Sequence, residues 1–489
     1  MKIRTAYRGL FTLVALAALE GPAHAADPAG PSGNDFKLPT IAPLTWGPFT
    51  IYGTIDIAAQ YQTRGVPISG SVYSTPGFVT PPGRKSQLVL SPNQSIPSFV
   101  GFRIEQPIAQ DLLFTAKAES GFVPTTLQLD DALKSLQKQN GVPLAQQESS
   151  FDGPRAGQIF NGQAYAGLSS ARLGSLTYGR QYTPLLDDIL RYDPLASYAF
   201  SPLGFYGSYS GQGSSETTFI DSSIKYSNRI GPVRVSAFFA DPGTNVSRFR
   251  QISAGVDWHG FSLDVVGGRA SDQVAAAALS AATLSANPAA ATMLGAKVFD
   301  TRMLGVFGKW DLGRTESFKG ERFLSKTTLY AGYEHIDFTN PESGGISPGH
   351  KTIGGYQIGP VVTANGSPAA GIVNNGFTGG DRKLDMAYMG FTYQISPQWK
   401  AGAAYYRFRQ NSFGFGVVSP AYSPVHCSST AFSNCAGWQG VVGAKVDYLA
   451  NKNFALYGGA AYSEVHKGMR AGFLHGSQFN ATVGARFMF

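Results

Sequence analysis

The acid–base side chains of this sequence offer little for catalysis. Glu334, His335 and Asp337 are the nearest thing to a proton-transferring cluster, since a histidine beside carboxylates can act as an acid or a base. The sequence contains no Gly-x-Ser-x-Gly motif, no Gly-rich phosphate loop and no HExxH. Similar polar clusters are common on the exposed rims of β-structures. We therefore predict that the chain is not an enzyme and uses no cofactor or metal, with a hydrolase as the less favoured alternative.

The amino terminus predicts export. Three basic residues within the first eight precede an apolar run at 9–19, and Ala-His-Ala, ending at residue 25, supplies small residues for cleavage. The run is shorter than the roughly 20 residues that a membrane-spanning helix needs. We predict a cleaved signal peptide at 1–25, followed by a flexible lead-in at 26–47 that is rich in Pro and Gly.

The two cysteines, Cys427 and Cys435, lie eight residues apart in an exported chain. Exported proteins favour disulfides over free thiols, so we predict a Cys427–Cys435 disulfide within a loop. The neighbouring His426 lacks a second pair of ligands at a suitable spacing, which argues against a metal site.

The composition excludes several classes of protein. Charged residues make up 14% of the chain, against about a quarter in a typical soluble domain. The formal net charge of +8 is dispersed, without the basic runs that would indicate a nucleic-acid partner. No shift in composition divides the 489 residues, so we expect one large domain at 48–489.

Alternation of apolar and polar residues recurs along that domain in about sixteen segments of roughly ten residues, the signature of a transmembrane β-barrel. One segment places apolar residues on one face and polar or small residues on the other: Ile252, Ala254, Val256 and Trp258 against Ser253, Gly255 and Asp257. The last strand alternates in the same way and ends on Phe489. A soluble, secreted carbohydrate-binding β-protein is an alternative, but it would need polar residues on the apolar faces.

The connections between these segments are alternately short and long, as in outer-membrane barrels with short turns at one end. Short connections such as 107–110, 259–260, 396–397 and 451–452 alternate with long ones at 64–96, 122–162, 181–217, 270–300, 338–382 and 411–437. The connection at 313–326 is longer than its side predicts. The fold class that follows is all-β, an antiparallel transmembrane barrel of about sixteen strands.

The long connection at 181–217 is the most informative one. An insert of nearly forty residues within a compact domain is usually functional or disordered, and this one carries aromatic anchors that a disordered linker would lack. The residues around it, Gly167-Leu168, Gly174 and Gly179-Arg180-Gln181-Tyr182-Thr183-Pro184, resemble the GLxxxxGxxxxGRQYTP signature of the Gram-negative outer-membrane general porins. The resemblance extends, more weakly, from Phe49 to Phe489.

This resemblance implies an outer-membrane channel for passive diffusion of small hydrophilic solutes, surrounded by lipid and lipopolysaccharide and assembled as a homotrimer. In that family the loop folds into the barrel and narrows the pore. The implied lumen-facing residues of the loop are Tyr182, Asp187, Asp188 and Asp193. Carboxylates in such a position set ion preference.

Two features bear on the wall of the predicted pore. Alternation turns Arg180 outward with Leu176 and Tyr178, where an unpaired charge could not meet lipid, so a subunit contact or a place at the wet rim follows. Arg103 matches an inward basic position of the family. Alternation turns four further charged residues inward: Lys117, Glu119, Lys225 and Arg234.

The sequence departs from the family where general porins carry arginines and a lysine opposite the loop. Those positions hold Phe99, Gly162, Phe219 and Thr54. With Phe99 and Phe219 inward, we expect weak charge selectivity and good passage of neutral sugars, and a substrate-selective channel for sugars or organic acids is the alternative. A slip of one residue in register would turn both phenylalanines to lipid instead.

Overall fold

The computed structural model describes residues 44–67, 78–148, 157–203, 219–240, 248–342, 380–413 and 433–489, with short pieces between 352 and 377. The predicted signal peptide and most of the lead-in lie outside the described residues.

Sixteen strands form one ring of antiparallel neighbours. In chain order they are β1 Phe49–Gly65, β2 Phe99–Ala109, β3 Leu112–Gly121, β4 Ala164–Ser170, β5 Gly174–Gln181, β6 Ile220–Ile230, β7 Val233–Ala240, β8 Arg248–Trp258, β9 Phe261–Ala277, β10 Gly295–Phe318, β11 Glu321–Thr339, β12 Arg382–Gln394, β13 Trp399–Gln410, β14 Gly437–Leu449, β15 Phe454–Lys467 and β16 Ser477–Met488. Strand β16 pairs back onto β1, from Thr54 opposite Met488 to Gln62 opposite Asn480. The predicted sixteen-stranded barrel is confirmed.

Shorter elements decorate this ring. Leu44–Trp46 and Lys85–Leu90 pair with β1, and Ile372–Val373 lies parallel to β10. Two short hairpins form separately: Thr352–Ile353 pairs with Tyr356–Gln357, and Val361–Val362 pairs with Pro368–Ala369. The helices are α1 Ala132–Lys138, α2 Pro184–Tyr192 and α3 Ala281–Ala286, with 3-10 turns at Leu144–Gln146, Pro288–Thr292 and Gly468–Arg470. No helix in the described part of the chain has the length and apolarity to span a membrane.

The outer surface carries the apolar residues that alternation predicts. Outward side chains such as Ile252, Leu304 and Val442 are at least half exposed. Exposed aromatic residues lie towards both ends of the barrel: Tyr333, Tyr405 and Tyr462 near the long loops, and Trp258, Phe261, Trp310 and Trp399 near the short turns. Such aromatic belts mark the two membrane–water interfaces of outer-membrane barrels.

The connection at 313–326 differs from the prediction. It is a continuation of β10 and β11, which stay paired as far as Phe318 opposite Glu321. The turn consists of Lys319 and Gly320, with φ of 50° and 84°, and two consecutive residues at positive φ form the turn that best matches the twist of a hairpin. Because β12 pairs with β11 only from Thr327 onward, the hairpin extends beyond its neighbours.

Candidate functional site

The chain after β5 enters the barrel as helix α2. Thr183 begins the helix by accepting a hydrogen bond from the Leu186 N–H at 3.3 Å, and Pro184 occupies the first turn, both favourable at a helix start. Leu185, Ile189 and Tyr192 are at most 1% exposed. The apolar side of the helix is therefore buried against the inner wall.

Polar contacts fix this segment to four strands of the wall. On β8, Gln251 Oε1 accepts from the Leu185 N–H at 3.2 Å, and Ser253 Oγ donates to Asp188 Oδ2 at 2.9 Å. On β9, Asp264 Oδ2 accepts from Tyr192 OH at 2.5 Å. On β12, Tyr388 OH donates to the Tyr192 carbonyl at 3.2 Å, and on β13, Tyr406 OH donates to Asp193 Oδ1 at 2.7 Å. These partners lie on β8, β9, β12 and β13. Because these five hydrogen bonds join the segment to four strands, the segment keeps one position along the wall.

The segment then reaches the side of the ring where β15, β16 and β1 meet. The Ala199 N–H donates to the Gln94 carbonyl at 2.8 Å, and Phe200 packs edge-on against Tyr457 with ring centroids 6.4 Å apart. Tyr457 OH in turn donates to Asp56 Oδ1 on β1 at 2.6 Å. Residues 182–203 thus follow the inner wall from β8 round to β1.

Gly443 on β14 makes this path possible. A Cβ at that position would lie 2.1 Å from the Phe200 carbonyl oxygen. Only glycine lets the segment approach the wall so closely.

The three loop carboxylates do not all face the lumen, and the prediction needs correction. Asp188 and Asp193 are 7% and 8% exposed and are used as acceptors for wall hydroxyls. Burial and the nearby Asp264 carboxylate raise the pKa of Asp188 well above its usual range. Burial also raises the pKa of Asp193, against hydrogen bonds from Ser201 and Tyr406 that lower it. Asp187 is the most accessible of the three and forms an ion pair with Lys225.

The predicted inward charges of the wall are placed inside the barrel and are mostly paired. Lys117 Nζ lies 2.8 Å from Glu119 Oε1, which also accepts from Tyr52 OH at 2.9 Å. Arg234 contacts Asp257 and lies 2.9 Å from Asp264 Oδ2. Arg103 lies 3.6 Å from Glu105. These pairs leave little uncompensated charge on β2, β3 and β7.

Arg180 does not lie exposed on the outer surface. Strand β5 stays in register with β4 through Arg180, opposite Ala164, and the irregularity beside it is an extra residue on β6, where Ser222 has a φ of 49°. Arg180 is buried instead: Nη1 donates to Asp221 Oδ1 at 2.8 Å, and the guanidinium also donates to the carbonyls of Asn161, Gly162 and Phe219. It fixes the start of β6 to β4 and β5.

Phe219 does not present the open apolar face to the lumen that was predicted for it. Phe219 is 3% exposed, with the Tyr182 ring 5.0 Å away and the Arg180 guanidinium 5.3 Å from its centroid. The Tyr182 ring therefore packs against Phe219 and does not extend into the lumen as a contact for solutes. Phe99 is half-buried and meets Tyr52 edge-on at 5.8 Å.

Sequence reasoning missed a group of four lysines on the same wall as α2, where Lys309 lies over the Tyr192 ring at 5.9 Å. Lys309, Lys326, Lys400 and Lys445 lie on β10 to β14 on the inward-facing positions, and Lys400 is within electrostatic range of the other three. Lys326 pairs with Asp311 at 2.8 Å and Lys445 with Asp447 at 3.2 Å. Among the described residues, no acid lies within ion-pair distance of Lys309 or Lys400. Strand alternation was the signal that could have found them.

The predicted acid–base cluster is divided between the two faces of β11. His335 lies on the outer face, with Nδ1 2.7 Å from Asp385 and Nε2 3.3 Å from Asp337. Glu334 lies on the inner face, fully buried, and neither carboxyl oxygen has a hydrogen-bond partner among the described residues.

No group of three potential metal ligands occurs in the described parts of the chain. Cys435 is buried and disulfide-bonded, and Cys427, the other cysteine of the chain, lies outside the described residues.

Comparisons with known proteins agree with this architecture. The anion-selective porin from Comamonas acidovorans superposes with a TM-score of 0.55 at 14% identity, covering 90% of this chain and 99% of that chain. OmpT, an outer membrane protein of Vibrio cholerae, gives 0.52 at 12% identity, covering 92% and 100%, and its trimer form gives 0.51 at 12%, covering 90% and 99%. No curated protein sequence matches the chain. Likeness at these identities shows the fold alone. The sequence profile of the Gram-negative porins matches residues 12–468, so the chain belongs to the Gram-negative porin family.

Proposed function

We propose that the barrel carries out passive diffusion of small hydrophilic solutes through a lumen narrowed by residues 182–203. The proposal rests on the run of contacts that holds this segment inside the barrel from β8 to β1. A barrel of about sixteen strands encloses an aqueous channel. Purified protein in a planar bilayer should give stepwise, mostly ohmic currents, and currents no larger than those of the lipid alone would contradict the proposal.

We further propose that the channel is a homotrimer embedded in lipid and lipopolysaccharide. The trimer form of OmpT supports the assembly. The mass of the detergent-solubilised complex, measured by light scattering with the detergent subtracted, should be three times that of the chain. A monomeric mass together with single-step conductance would contradict the trimer.

We propose that the protein has no enzymatic activity. Membership of the porin family supports this. The alternative, an outer-membrane barrel hydrolase, predicts turnover of lipid or peptide substrates by the purified protein. Activity that survives further purification and is lost in a His335→Ala variant would favour the hydrolase.

The charges of the inner wall support a channel that prefers anions. This differs from the weak charge selectivity that was expected from the sequence. Lys309 and Lys400 have no acid partner among the described residues, while Asp188 and Asp193 are turned into the wall. Side chains that line a pore set its ion preference, and the Comamonas acidovorans porin with a similar fold is anion-selective.

Reversal potentials in a salt gradient test this preference. The wild type should favour chloride over potassium, and Lys309→Gln with Lys400→Gln should shift the ratio towards cations. Lys383→Gln, on the exposed outer face, is the matched control and should leave the ratio unchanged. An unaltered ratio in the double variant would mean that these lysines do not line the ion path. Faster liposome swelling with organic acids than with neutral sugars of similar size would favour the organic-acid channel.

A further inference from the structure

Three arginines on adjacent strands lie side by side on the outer face of the barrel. Arg250 on β8 is opposite Arg269 on β9, which is opposite Arg302 on β10. Two residues further along β8 and β10, Ile252 and Leu304 share this face and are 60% and 50% exposed. We name Arg250, Arg269 and Arg302 the outer arginine row. Directly opposed like charges destabilise a sheet, so the row requires compensation.

The acids of the described chain compensate the row only in part. Glu342 Oε1 lies 2.5 Å from Arg269 and 3.9 Å from Arg302, and Asp300 Oδ2 lies 3.8 Å from Arg269. Arg250 has no acid within ion-pair distance among the described residues and lies over the Phe239 ring at 5.7 Å. Arg248, one pleat further along the same face, is also exposed. The row therefore keeps excess positive charge.

The position of the row along the barrel axis indicates which kind of ligand it meets. It begins one pleat beyond the apolar residues Ile252 and Leu304, at the end of the barrel that carries the long loops. In outer-membrane barrels this end faces the cell exterior, so the row lies at the level of the headgroups of the outer leaflet. Arginine forks match phosphate oxygens in bidentate geometry. The charge, spacing and height of the row all fit a lipid phosphate.

We propose that the outer arginine row binds the phosphate groups of outer-leaflet lipid, forming a lipid site on the outside of the barrel that is separate from the channel. The lipid phosphate supplies the negative charge that Glu342 provides in part. Glu342 is 70% exposed and leaves the guanidinium groups of Arg250 and Arg302 open to a larger anion.

Native mass spectrometry of the detergent-released protein tests the site with purified bisphosphorylated lipid A as probe. The variant is Arg250→Gln with Arg269→Gln and Arg302→Gln. The matched control replaces three exposed arginines at the short-turn end, Arg172→Gln with Arg314→Gln and Arg322→Gln. We expect wild type and control to retain lipid A alike and the row variant to bind it at least tenfold more weakly. Chemically dephosphorylated lipid A should bind all three equally weakly.

The remaining outcomes overturn the proposal. Equal retention of lipid A by the row variant and the control would remove the site. Displacement of lipid A by inorganic phosphate at equal concentration would assign the row to a free anion. Loss of the oligomer in the row variant, with lipid A retention unchanged, would make the row a contact between copies of the chain. Unaltered conductance and an unaltered heat-dependent shift on a detergent gel verify that each variant is folded.

Discussion

At the scale of single residues, Glu334 is the least compensated group of the described chain. Its carboxyl group is fully buried on the inner face, between Gly305 and Met386 on the neighbouring strands, and neither oxygen has a hydrogen-bond partner among the described residues. Burying a polar group without a partner costs about 1–3 kcal/mol in proteins. Its presence therefore lowers the stability of the barrel.

Replacing Glu334 by Leu should raise stability by about 1–3 kcal/mol, because the unpaired polar atoms are removed and an apolar side chain of similar size remains. The measurement is the temperature at which the folded band disappears on a detergent gel. Asp381→Leu, at an exposed position, is the control and should change stability by less than about 0.5 kcal/mol. A lower melting temperature for Glu334→Leu would indicate a partner for this carboxyl outside the described residues.

Asp188 gives a second prediction at this scale, on pH. Its pKa is raised in the folded protein by burial and by Asp264, so the folded state binds this proton more tightly than the unfolded state. The stability it contributes is present below the ordinary aspartate pKa of about 4 and is lost as pH rises towards the raised value. Asp188→Asn keeps the acceptor for Ser253 and should flatten the fall in melting temperature as pH rises above about 4. Identical pH profiles for the two proteins would contradict this linkage.

At the scale of elements, the strands were predictable and the directions of several side chains were not. Alternation located all sixteen strands, because lipid on one side and water on the other impose a period of two. It did not show that Asp221 and the carbonyls of Asn161, Gly162 and Phe219 enclose the Arg180 guanidinium. The family resemblance misplaced Asp188, because a helix turns each successive side chain by about 100°, which places Asp187 and Asp188 on different sides of α2. The lysines of β10 to β14 escaped notice because only the family's usual basic positions were compared.

The contact between Gly443 and Phe200 can be tested directly. Gly443→Ala should push residues 182–203 off the wall, since its Cβ would lie 2.1 Å from the Phe200 carbonyl oxygen. We expect noisier single-channel current and an altered conductance, with the heat-stable barrel retained. Gly458→Ala is the matched control on the neighbouring strand, because its Cβ would meet Val483 Cγ2 at an ordinary 3.6 Å. Quiet channels of unchanged conductance in Gly443→Ala would mean that the segment is not held there.

At the scale of the whole molecule, closure of the ring depends on the seam between β1 and β16. The Gly53 N–H donates to the Phe489 carbonyl at 3.0 Å, and the Phe489 N–H donates to the Gly53 carbonyl at 3.1 Å. The Phe489 ring also packs over Gly53, where a Cβ would lie 2.6 Å from it. The family match confirms the outer-membrane porin predicted from the sequence, and this seam is where its barrel closes.

Phe489→Ala should weaken the seam between β1 and β16. Replacing a fully buried phenylalanine by alanine lowers the free energy of unfolding by about 3–5 kcal/mol, and we expect a smaller loss here because Phe489 is only half-buried. The backbone hydrogen bonds remain, so the barrel should still form but melt at a lower temperature. Phe479→Ala, an outward position on the same strand, is the control and should melt closer to wild type. Equal melting temperatures for the two variants would mean that the ring over Gly53 adds nothing to closure.

The segment inside the barrel also has a mechanical consequence. It is attached to β8 through Gln251 at one end and reaches β1 through Phe200, Tyr457 and Asp56 at the other. Because this segment is attached to the wall at both ends, it should keep the cross-section of the barrel from becoming oval under lateral pressure from the bilayer. The cross-section of the lumen, and with it the current, should therefore change little when membrane tension rises.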